Sequence, residues 1–293
     1  MRSLPAVEAA VQRVEQAEAL DRPVTVAKKA VDAALPSASV RDALHGVWFG
    51  HPLHPALILL PLGSWVSAAV LDLLPGSSRA ARRLVGLGVV SALPTAAAGA
   101  ADWSQLHPQQ QRVGLVHALA NSVTLGLQVA SWRARRRGQQ ARGVTLSLAA
   151  LGVGGVGAWL GGHLAYRQSA GANHAEQAPH VLPNDFTRLC GLDDLPEGRP
   201  VRLVLDANPV FVLRRGRRVD ALYDQCAHLS GPLSEGELSG EGDVLCVTCP
   251  WHGSVYRISD GQMQRGPTTH PQPVLQVRVE ADGTVLARLP EDG

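Results

Sequence analysis

The sequence predicts a multi-domain protein, with an N-terminal all-α bundle of four transmembrane helices and a C-terminal all-β domain. Residues 54–166 are strongly apolar, although hydrophobic residues make up only 45% of the chain. Short apolar runs separated by turn residues follow from about residue 186, and two cysteine–histidine pairs lie between those runs. The predicted divisions are an amphipathic N-terminal segment (1–40), a four-span membrane domain (41–170), a linker (171–185) and the β domain (186–293).

The first 40 residues are polar and charged. Two stretches, 5–20 and 23–34, have the apolar spacing of short amphipathic helices. The segment has no apolar core of the kind that a cleavable secretory signal needs. We expect it to form a cap in the cytosol or on the membrane surface.

Four apolar stretches then follow one another. Each approaches the ~20 residues that a helix needs to cross a bilayer. A soluble bundle would show a polar face every 3.6 residues, and these stretches do not. A buried soluble bundle is the alternative to a multi-pass protein of the cell membrane. The stretches are 54–74, 82–101, 113–132 and 143–166.

Arginines are distributed unequally between the two ends of these stretches. The positive-inside rule places the arginine-rich loops in the cytoplasm, so the C-terminal domain would lie outside. The run Arg133–Arg137 is then a topology signal, and with a net charge of only +2 we expect no nucleic-acid partner. Eight arginines lie on one side (Arg79, Arg82, Arg83, Arg133, Arg135, Arg136, Arg137, Arg142) and three on the other (Arg41, Arg112, Arg167).

Polar residues collect at the opposite membrane face. Because the spans alternate in direction, the polar groups at four span ends share one level. Ionisable groups near a bilayer usually face an interior and have a function. Such histidines can hold a haem or another metal, or bind a quinone, and the alternative is that they only cap helices at the interface. The candidates for this membrane redox site are His54, Asp102, His117 and His163.

Residues 41–170 resemble a bacterial four-span membrane family, a domain of unknown function. The resemblance supports four spans and implies no activity. It rests on His51-Pro52-Leu53-His54-Pro55, Asp102-Trp103, His117 and Gly161-Gly162-His163.

The C-terminal part has the pattern of a small all-β domain. The dipeptides Asp260-Gly261 and Asp282-Gly283 fall between apolar runs, which is a strong hairpin signal. No helix longer than a turn or two is indicated. The predicted strands are 201–205, 210–213, 219–223, 244–248, 254–258, 274–279 and 284–289.

The two cysteine–histidine pairs are Cys226-Ala227-His228 and Cys249-Pro250-Trp251-His252. Each offers one thiolate and one imidazole, the ligand set of a 2Fe-2S centre in which two histidines replace two cysteines on one iron. Structural zinc also accepts two cysteines and two histidines. Zinc motifs usually pair cysteine with cysteine, so the mixed order fits the iron–sulfur centre better.

Residues 186–290 resemble the Rieske family, whose two boxes match Cys226-Ala227-His228-Leu229 and Cys249-Pro250-Trp251-His252-Gly253. The resemblance implies one Rieske 2Fe-2S cluster, with Cys226 and Cys249 on one iron and His228 and His252 on the other. The stretch Gly266–Pro273 is similar to the proline loop that covers the cluster.

Two further features bear on the reduction potential. Rieske subunits of cytochrome bc complexes carry a disulfide at the positions of Gly231 and Trp251, so this domain is similar to Rieske ferredoxins. Ser254 and Tyr256 match a serine and a tyrosine that hydrogen-bond cluster sulfurs and raise the potential. We expect a potential in the lower to middle part of the family range of about −150 to +300 mV.

The leading functional hypothesis is a membrane-anchored Rieske protein that carries single electrons between a redox partner and a membrane or soluble acceptor. The alternatives are a quinol-oxidising membrane oxidoreductase that uses the histidine-bearing face, and a redox sensor. A complete ring-hydroxylating oxygenase needs a further iron domain, and only about 40 residues follow His252. Whether the chain is itself an enzyme stays open, and we expect an electron-transfer component of an oxidoreductase system.

Overall fold

The computed structural model describes residues 5–290. The chain forms two compact units. The first comprises the residues up to Leu44 together with Pro52–Ala170, and the second comprises His45–His51 together with the chain from Gly171 onward.

The first unit is helical. Two amphipathic helices and a third, unpredicted one (α3) come first, and the four apolar stretches follow as helices. The bounds are α1 Pro5–Glu15, α2 Asp21–Ala34, α3 Ala38–His45, α4 Leu53–Leu57, α5 Leu59–Leu71, α6 Ser78–Trp103, α7 Pro108–Arg136 and α8 Gln140–Gly162. Four segments of the described chain are long and apolar enough to cross a membrane, namely Leu53–Leu71, Ser78–Trp103, Pro108–Arg136 and Gln140–Arg167.

The first span is interrupted at Ile58, between α4 and α5. Pro61 has no N–H to bond the carbonyl of Leu57, so the regular ladder fails at this point. At its far end the fourth span widens into a π-helical turn, His163–Arg167. Both irregularities lie near histidines that the sequence singles out.

A buried ion pair joins α7 to the end of α5. Arg135 donates from both terminal nitrogens to the two carboxylate oxygens of Asp72, at 2.6 Å each. The side chains are 0% and 4% exposed. Ser131 accepts from Nε of Arg135, and Gln140 donates to Asp72. Arg135 is therefore neutralised inside the helical unit and does not act as an exposed loop cation.

The second unit is built of short strands. Their bounds are β1 Thr187–Gly191, β2 Val201–Leu205, β3 Asn208–Arg215, β4 Arg218–Tyr223, β5 Glu237–Ser239, β6 Cys246–Thr248, β7 Val255–Arg257, β8 Met263–Arg265, β9 Val274–Val279 and β10 Thr284–Arg288. They form two antiparallel sheets, with orders β1-β10-β9-β4-β3-β2 and β5-β6-β7-β8. The Asp282-Gly283 hairpin joins β9 to β10 and the Asp260-Gly261 hairpin joins β7 to β8, which confirms both predicted turns.

Two parts of this unit differ from the sequence prediction. Strands β1, β5 and β8 were not expected, because β5 and β8 have three residues each and β1 contains a bulge. The predicted linker 171–185 packs into the β core, where Ala175, Ala178 and Leu182 are buried. A short helix, α9 (Ala178–Val181), forms in it, and Ala178 and the following Leu182 cover apolar surface of the core.

The buried ion pair gives a testable prediction for the helical unit. Arg135→Met leaves the Asp72 carboxylate buried without its charge partner, which typically costs about 3–5 kcal/mol. We expect unfolding of the purified protein in mixed detergent micelles, followed by circular dichroism, to begin at a clearly lower SDS fraction. Adding Asp72→Leu to this variant should restore much of the loss.

The matched control is Asp21→Asn, which removes the exposed carboxylate that pairs with Arg112 at 2.6 Å. Its effect should be much smaller, because solvent screens exposed pairs. Equal losses in Arg135→Met and Asp21→Asn would contradict a special role for the buried pair.

Candidate iron-sulfur site

The first ligand loop, named for the predicted ligands Cys226 and His228, spans residues 226–231 and follows β4. The N–H of Cys226 donates to the carbonyl of Gly231 at 2.9 Å, and the N–H of Ser230 donates back to the carbonyl of Cys226 at 2.8 Å. Ser230 adopts a positive φ of 63° to close this turn. Cys226 and His228 thus lie on one tight loop, with their side chains buried.

The second ligand loop, named for the predicted ligands Cys249 and His252, spans residues 249–254 and joins β6 to β7. It is closed by the same pattern of backbone hydrogen bonds as the first loop. The N–H of Cys249 donates to the carbonyl of Ser254 at 2.8 Å, and the N–H of Gly253 donates to the carbonyl of Cys249 at 3.1 Å. Gly253 has a φ of +78°, which a residue with a side chain rarely adopts. Trp251 and His252 lie at the tip of this loop.

The two loops face each other closely. A Cβ on Gly231 would lie 2.8 Å from Sγ of Cys249 and 3.1 Å from the ring of Trp251. The rings of His228 and His252 are nearly perpendicular, with centroids 4.9 Å apart. Trp251 thus packs against Gly231 where the two loops meet.

Exposure increases from the thiols to the imidazoles. Cys226 is 0% exposed, Cys249 3% and His228 8%, whereas His252 is half-buried. Trp251, beside His252, is 50% exposed. A centre held here would be reached from solvent on its histidine side.

The two thiols are unequal acids. The hydrogen bond with the Cys226 thiol is the main cause that lowers the pKa of Cys249 to about 7, assisted by the backbone N–H groups of Trp251 and His252. Burial, and then the neighbouring Cys249, raises the pKa of Cys226 well above its usual value. The pocket therefore already stabilises one thiolate, the form in which cysteine binds metal.

The donor set fits a two-iron cluster. Within residues 5–290, no group of three or more His, Cys, Asp or Glu side chains is placed to hold one metal ion. The four side chains instead form a thiol pair and an imidazole pair, which matches two ligands for each of two irons. This arrangement does not favour the zinc alternative, in which all four would surround one ion.

The two predicted sulfur-bonding residues differ in what they contact. The hydroxyl of Tyr256 lies 3.1 Å from Sγ of Cys226, inside the core. Burial raises the pKa of Tyr256 well above its usual value, so it stays a hydrogen-bond donor. Ser254 is fully buried. Its Oγ accepts a hydrogen bond from the backbone N–H of Thr268 at 3.4 Å. This bond joins the second ligand loop to residues 266–273, the predicted covering loop.

Sequence reasoning missed Gln272 of the covering loop, 2% exposed. Its Nε2 donates to the carbonyls of Tyr223 at 2.6 Å and Gln225 at 2.8 Å, and its Oε1 accepts from the N–H of Ala227 at 3.0 Å. One amide thereby holds the chain on both sides of Cys226. A glutamine between Pro271 and Pro273 was the only sequence signal.

The predicted membrane site divides into parts. The rings of His54 and His117 lie together, with centroids 6.5 Å apart. Nδ1 of His54 faces the carbonyl of Thr95 at 2.9 Å, and Nδ1 of His117 faces that of Gly157 at 2.8 Å. A nitrogen that faces a carbonyl carries the proton, so each neutral ring has Nε2 as its acceptor.

The other two candidates lie elsewhere. Nε2 of His163 is 2.8 Å from a carboxylate oxygen of Glu15, on α1. Asp102 is half-buried in the last turn of α6. The structure thus brings two of the four residues together, and a haem or quinone site formed by all four stays a prediction.

A small β domain with paired thiols and imidazoles on two facing loops defines an iron–sulfur electron-transfer protein. A family model described as "Rieske [2Fe-2S] domain" matches residues 185–279, and one described as "Predicted membrane protein (DUF2231)" matches residues 50–174. The chain belongs to the Rieske family through its C-terminal domain, and its cofactor is a Rieske 2Fe-2S cluster. Its N-terminal part matches the DUF2231 model.

Ferredoxin subunits are among its relatives. The chain is 32% identical over 95 residues to the biphenyl dioxygenase ferredoxin subunit of Pseudomonas sp. (strain KKS102), covering 32% of this chain and 84% of that protein. It is 34% identical over 97 residues to the anthranilate 1,2-dioxygenase ferredoxin subunit of Burkholderia cepacia, covering 33% and 85%. These matches support a Rieske electron-carrier role.

Other matches cover less or are more distant. Apoptosis-inducing factor 3 of Mus musculus is 28% identical over 120 residues, which are 39% of this chain, and the chain spans 19% of that protein's length. Among solved structures, the ferredoxin of carbazole 1,9a-dioxygenase from Nocardioides aromaticivorans IC177 has 26% identity and a TM-score of 0.33, covering 36% of this chain and 98% of that one.

The contact between the loops gives one prediction. Gly231→Ala puts a methyl group 2.8 Å from Sγ of Cys249, so a ligand must move. We expect the purified full-length variant to hold less than half the iron and acid-labile sulfide of the unchanged protein. Gly152→Ala is the control, since nothing lies within 4 Å of that position and its backbone is helical, within α8. Full iron content in Gly231→Ala would show that the loops are not so tightly constrained.

The Gln272 contacts give another prediction. Gln272→Leu removes three hydrogen bonds and leaves buried backbone groups unsatisfied, at about 1–3 kcal/mol each. We expect earlier urea unfolding and faster bleaching of the cluster absorption. The control is Gln276→Leu, an exposed β9 residue whose Oε1 accepts only from Arg288. Equal bleaching rates in the two variants would contradict the role of Gln272.

Proposed function

We propose that the protein is a membrane-anchored Rieske electron carrier, with Cys226 and Cys249 on one iron and His228 and His252 on the other. The observation that carries the proposal is the close approach of two ligand loops that each present one thiol and one imidazole. When bound, the cluster accepts and releases one electron at a time. The loops bind it, Tyr256 donates a hydrogen bond to a ligand sulfur, and the buried walls keep water from the thiolates.

The membrane anchor is supported by the surface of the helical unit. In each span segment, only 22–28% of the most apolar window is buried within the protein. Leu59 is 70% exposed, Val90 67% and Leu93 61%. Exposed apolar surface on long helices suits lipid and is costly in water. The loops after the first and third spans carry more arginine than the opposite ends, which favours placing them in the cytoplasm and the Rieske domain outside.

Electron exchange takes place through the histidine side of the site in this proposal. His252 is the more exposed of the two imidazoles, and Trp251 offers an aromatic surface beside it. Two relatives are ferredoxin subunits of dioxygenases. A redox protein that docks over His252 and Trp251 is the partner that this exposure suits, and the chain serves as one component of an oxidoreductase system.

The direct test is spectroscopy of the purified full-length protein. We expect two irons for each chain and a Rieske-type electron paramagnetic resonance signal after reduction by dithionite. Cys249→Ser and His252→Ala should each abolish that signal, while the neighbouring substitution Trp251→Phe keeps it. A purified protein that binds zinc and no iron would overturn the proposal.

The hydrogen bond of Tyr256 gives a prediction for the potential. Tyr256→Phe removes a donor that stabilises the more negative, reduced cluster, so the potential should fall by tens of millivolts, where about 59 mV corresponds to a factor of ten. Tyr223→Phe is the matched control, because that buried hydroxyl bonds Gln177 and Gln225 instead. Voltammetry of the unchanged protein should give a value below roughly +200 mV within the family range. A higher potential, or no shift in Tyr256→Phe, would contradict this account.

A further inference from the structure

A cleft lies between α1 and the end of the fourth span, within the helical unit. Its volume is about 280 Å³. Apolar walls come from Val7, Val11 and Trp159, and the polar groups come from Glu8, Gln12, Glu15, His163 and Arg167. This volume lies just below the range for small-molecule sites, about 300–1,000 Å³.

The polar end of the cleft is a carboxylate–imidazole pair. Nε2 of His163 lies 2.8 Å from Oε1 of Glu15, and Nε2 of Gln168 donates to the same oxygen at 2.9 Å. The side chains of His163 and Glu15 are 8% and 24% exposed. A neutral His163 that donates from Nε2 keeps Nδ1 as an acceptor. The pair can therefore accept hydrogen bonds, and then protons, from a ligand hydroxyl.

One wall is aromatic and the backbone beside it is irregular. The ring of Trp159 stacks on that of His163, with centroids 5.8 Å apart and planes 27° apart. Trp159 is 48% exposed. His163 begins the π-helical turn that ends at Arg167, and such turns occur frequently at functional sites. A flat ring in the cleft would contact Trp159 while its polar edge meets the pair.

The charges select a neutral ligand. Arg167, the permanent cation among the residues that line the cleft, already pairs with Glu8 at 2.7 Å, and a neutral His163 adds no charge. No excess positive charge is left to favour a phosphate headgroup. A neutral, flat, apolar molecule with hydroxyl donors fits the walls and the polar end together.

We infer that this cleft binds the head group of a membrane hydroquinone, with Glu15 and His163 accepting its hydroxyl hydrogens. This inference rests on the proposed function, because the electrons of the hydroquinone would pass to Rieske clusters. One hydroquinone would give up two protons and two electrons to become the quinone, and the electrons would pass singly to two oxidised clusters. Glu15 and His163 would take the protons on their way to water.

The test is photoaffinity labelling of the full-length protein in nanodiscs with an azidoquinone. Label should map by mass spectrometry to α1 and to residues 159–167, and excess decylubiquinol, which carries the two hydroxyls, should remove it. Val7→Trp fills the cleft from an exposed wall position, so it should lower labelling at least five-fold. Glu15→Gln weakens the acceptor pair for the hydroxyls, so displacement of the label should need at least five-fold more decylubiquinol. Asp21→Asn, which breaks another ion pair between an N-terminal helix and a span, should stay within two-fold of the unchanged protein.

Several results would overturn the inference. These are label outside the cleft, label that decylubiquinol does not displace, or unchanged labelling in Val7→Trp. The same preparations are reduced with dithionite and examined for the Rieske signal. A normal signal without specific labelling defeats the hydroquinone site alone, whereas a missing signal in the unchanged protein defeats the proposed function.

Discussion

The close approach of the two ligand loops, at Gly231 against Cys249, is the contact on which the β unit depends. Nothing larger than hydrogen fits at Gly231 without moving the sulfur of Cys249, a proposed cluster ligand. Each loop is closed by its own backbone hydrogen bonds, and the covering loop adds the amide of Gln272. Without a disulfide between the loops, packing of Trp251 and buried hydrogen bonds must keep them together.

The helical unit meets a different constraint, because polar groups among apolar helices need partners. Arg135 and Asp72 neutralise each other, and His54 and His117 each face a backbone carbonyl. His163 instead pairs with a residue of α1, beside a cleft. The same requirement for partners thus produces a buried ion pair between Arg135 and Asp72. It also produces a partly exposed carboxylate–imidazole pair between Glu15 and His163.

Local pattern was enough to predict much of this fold. Apolar length predicted the four spans, and the Asp-Gly turns predicted two hairpins. The three-residue strands β5 and β8 carry too little pattern to be seen, and the packing of Ala175 and Leu182 depends on a core that only the folded β unit provides. The pairing of His163 with Glu15 joins residues 148 positions apart, a separation that periodicity cannot report.

Electron paramagnetic resonance of washed membranes, from cells that express the full-length protein, decides whether the cluster is held at the membrane. We expect the Rieske signal to sediment with the membranes, to survive washing with high salt and alkaline carbonate, and to be released only by detergent. A Rieske signal recovered in the soluble fraction, or membranes that contain the protein without the signal, would contradict a membrane-anchored Rieske carrier.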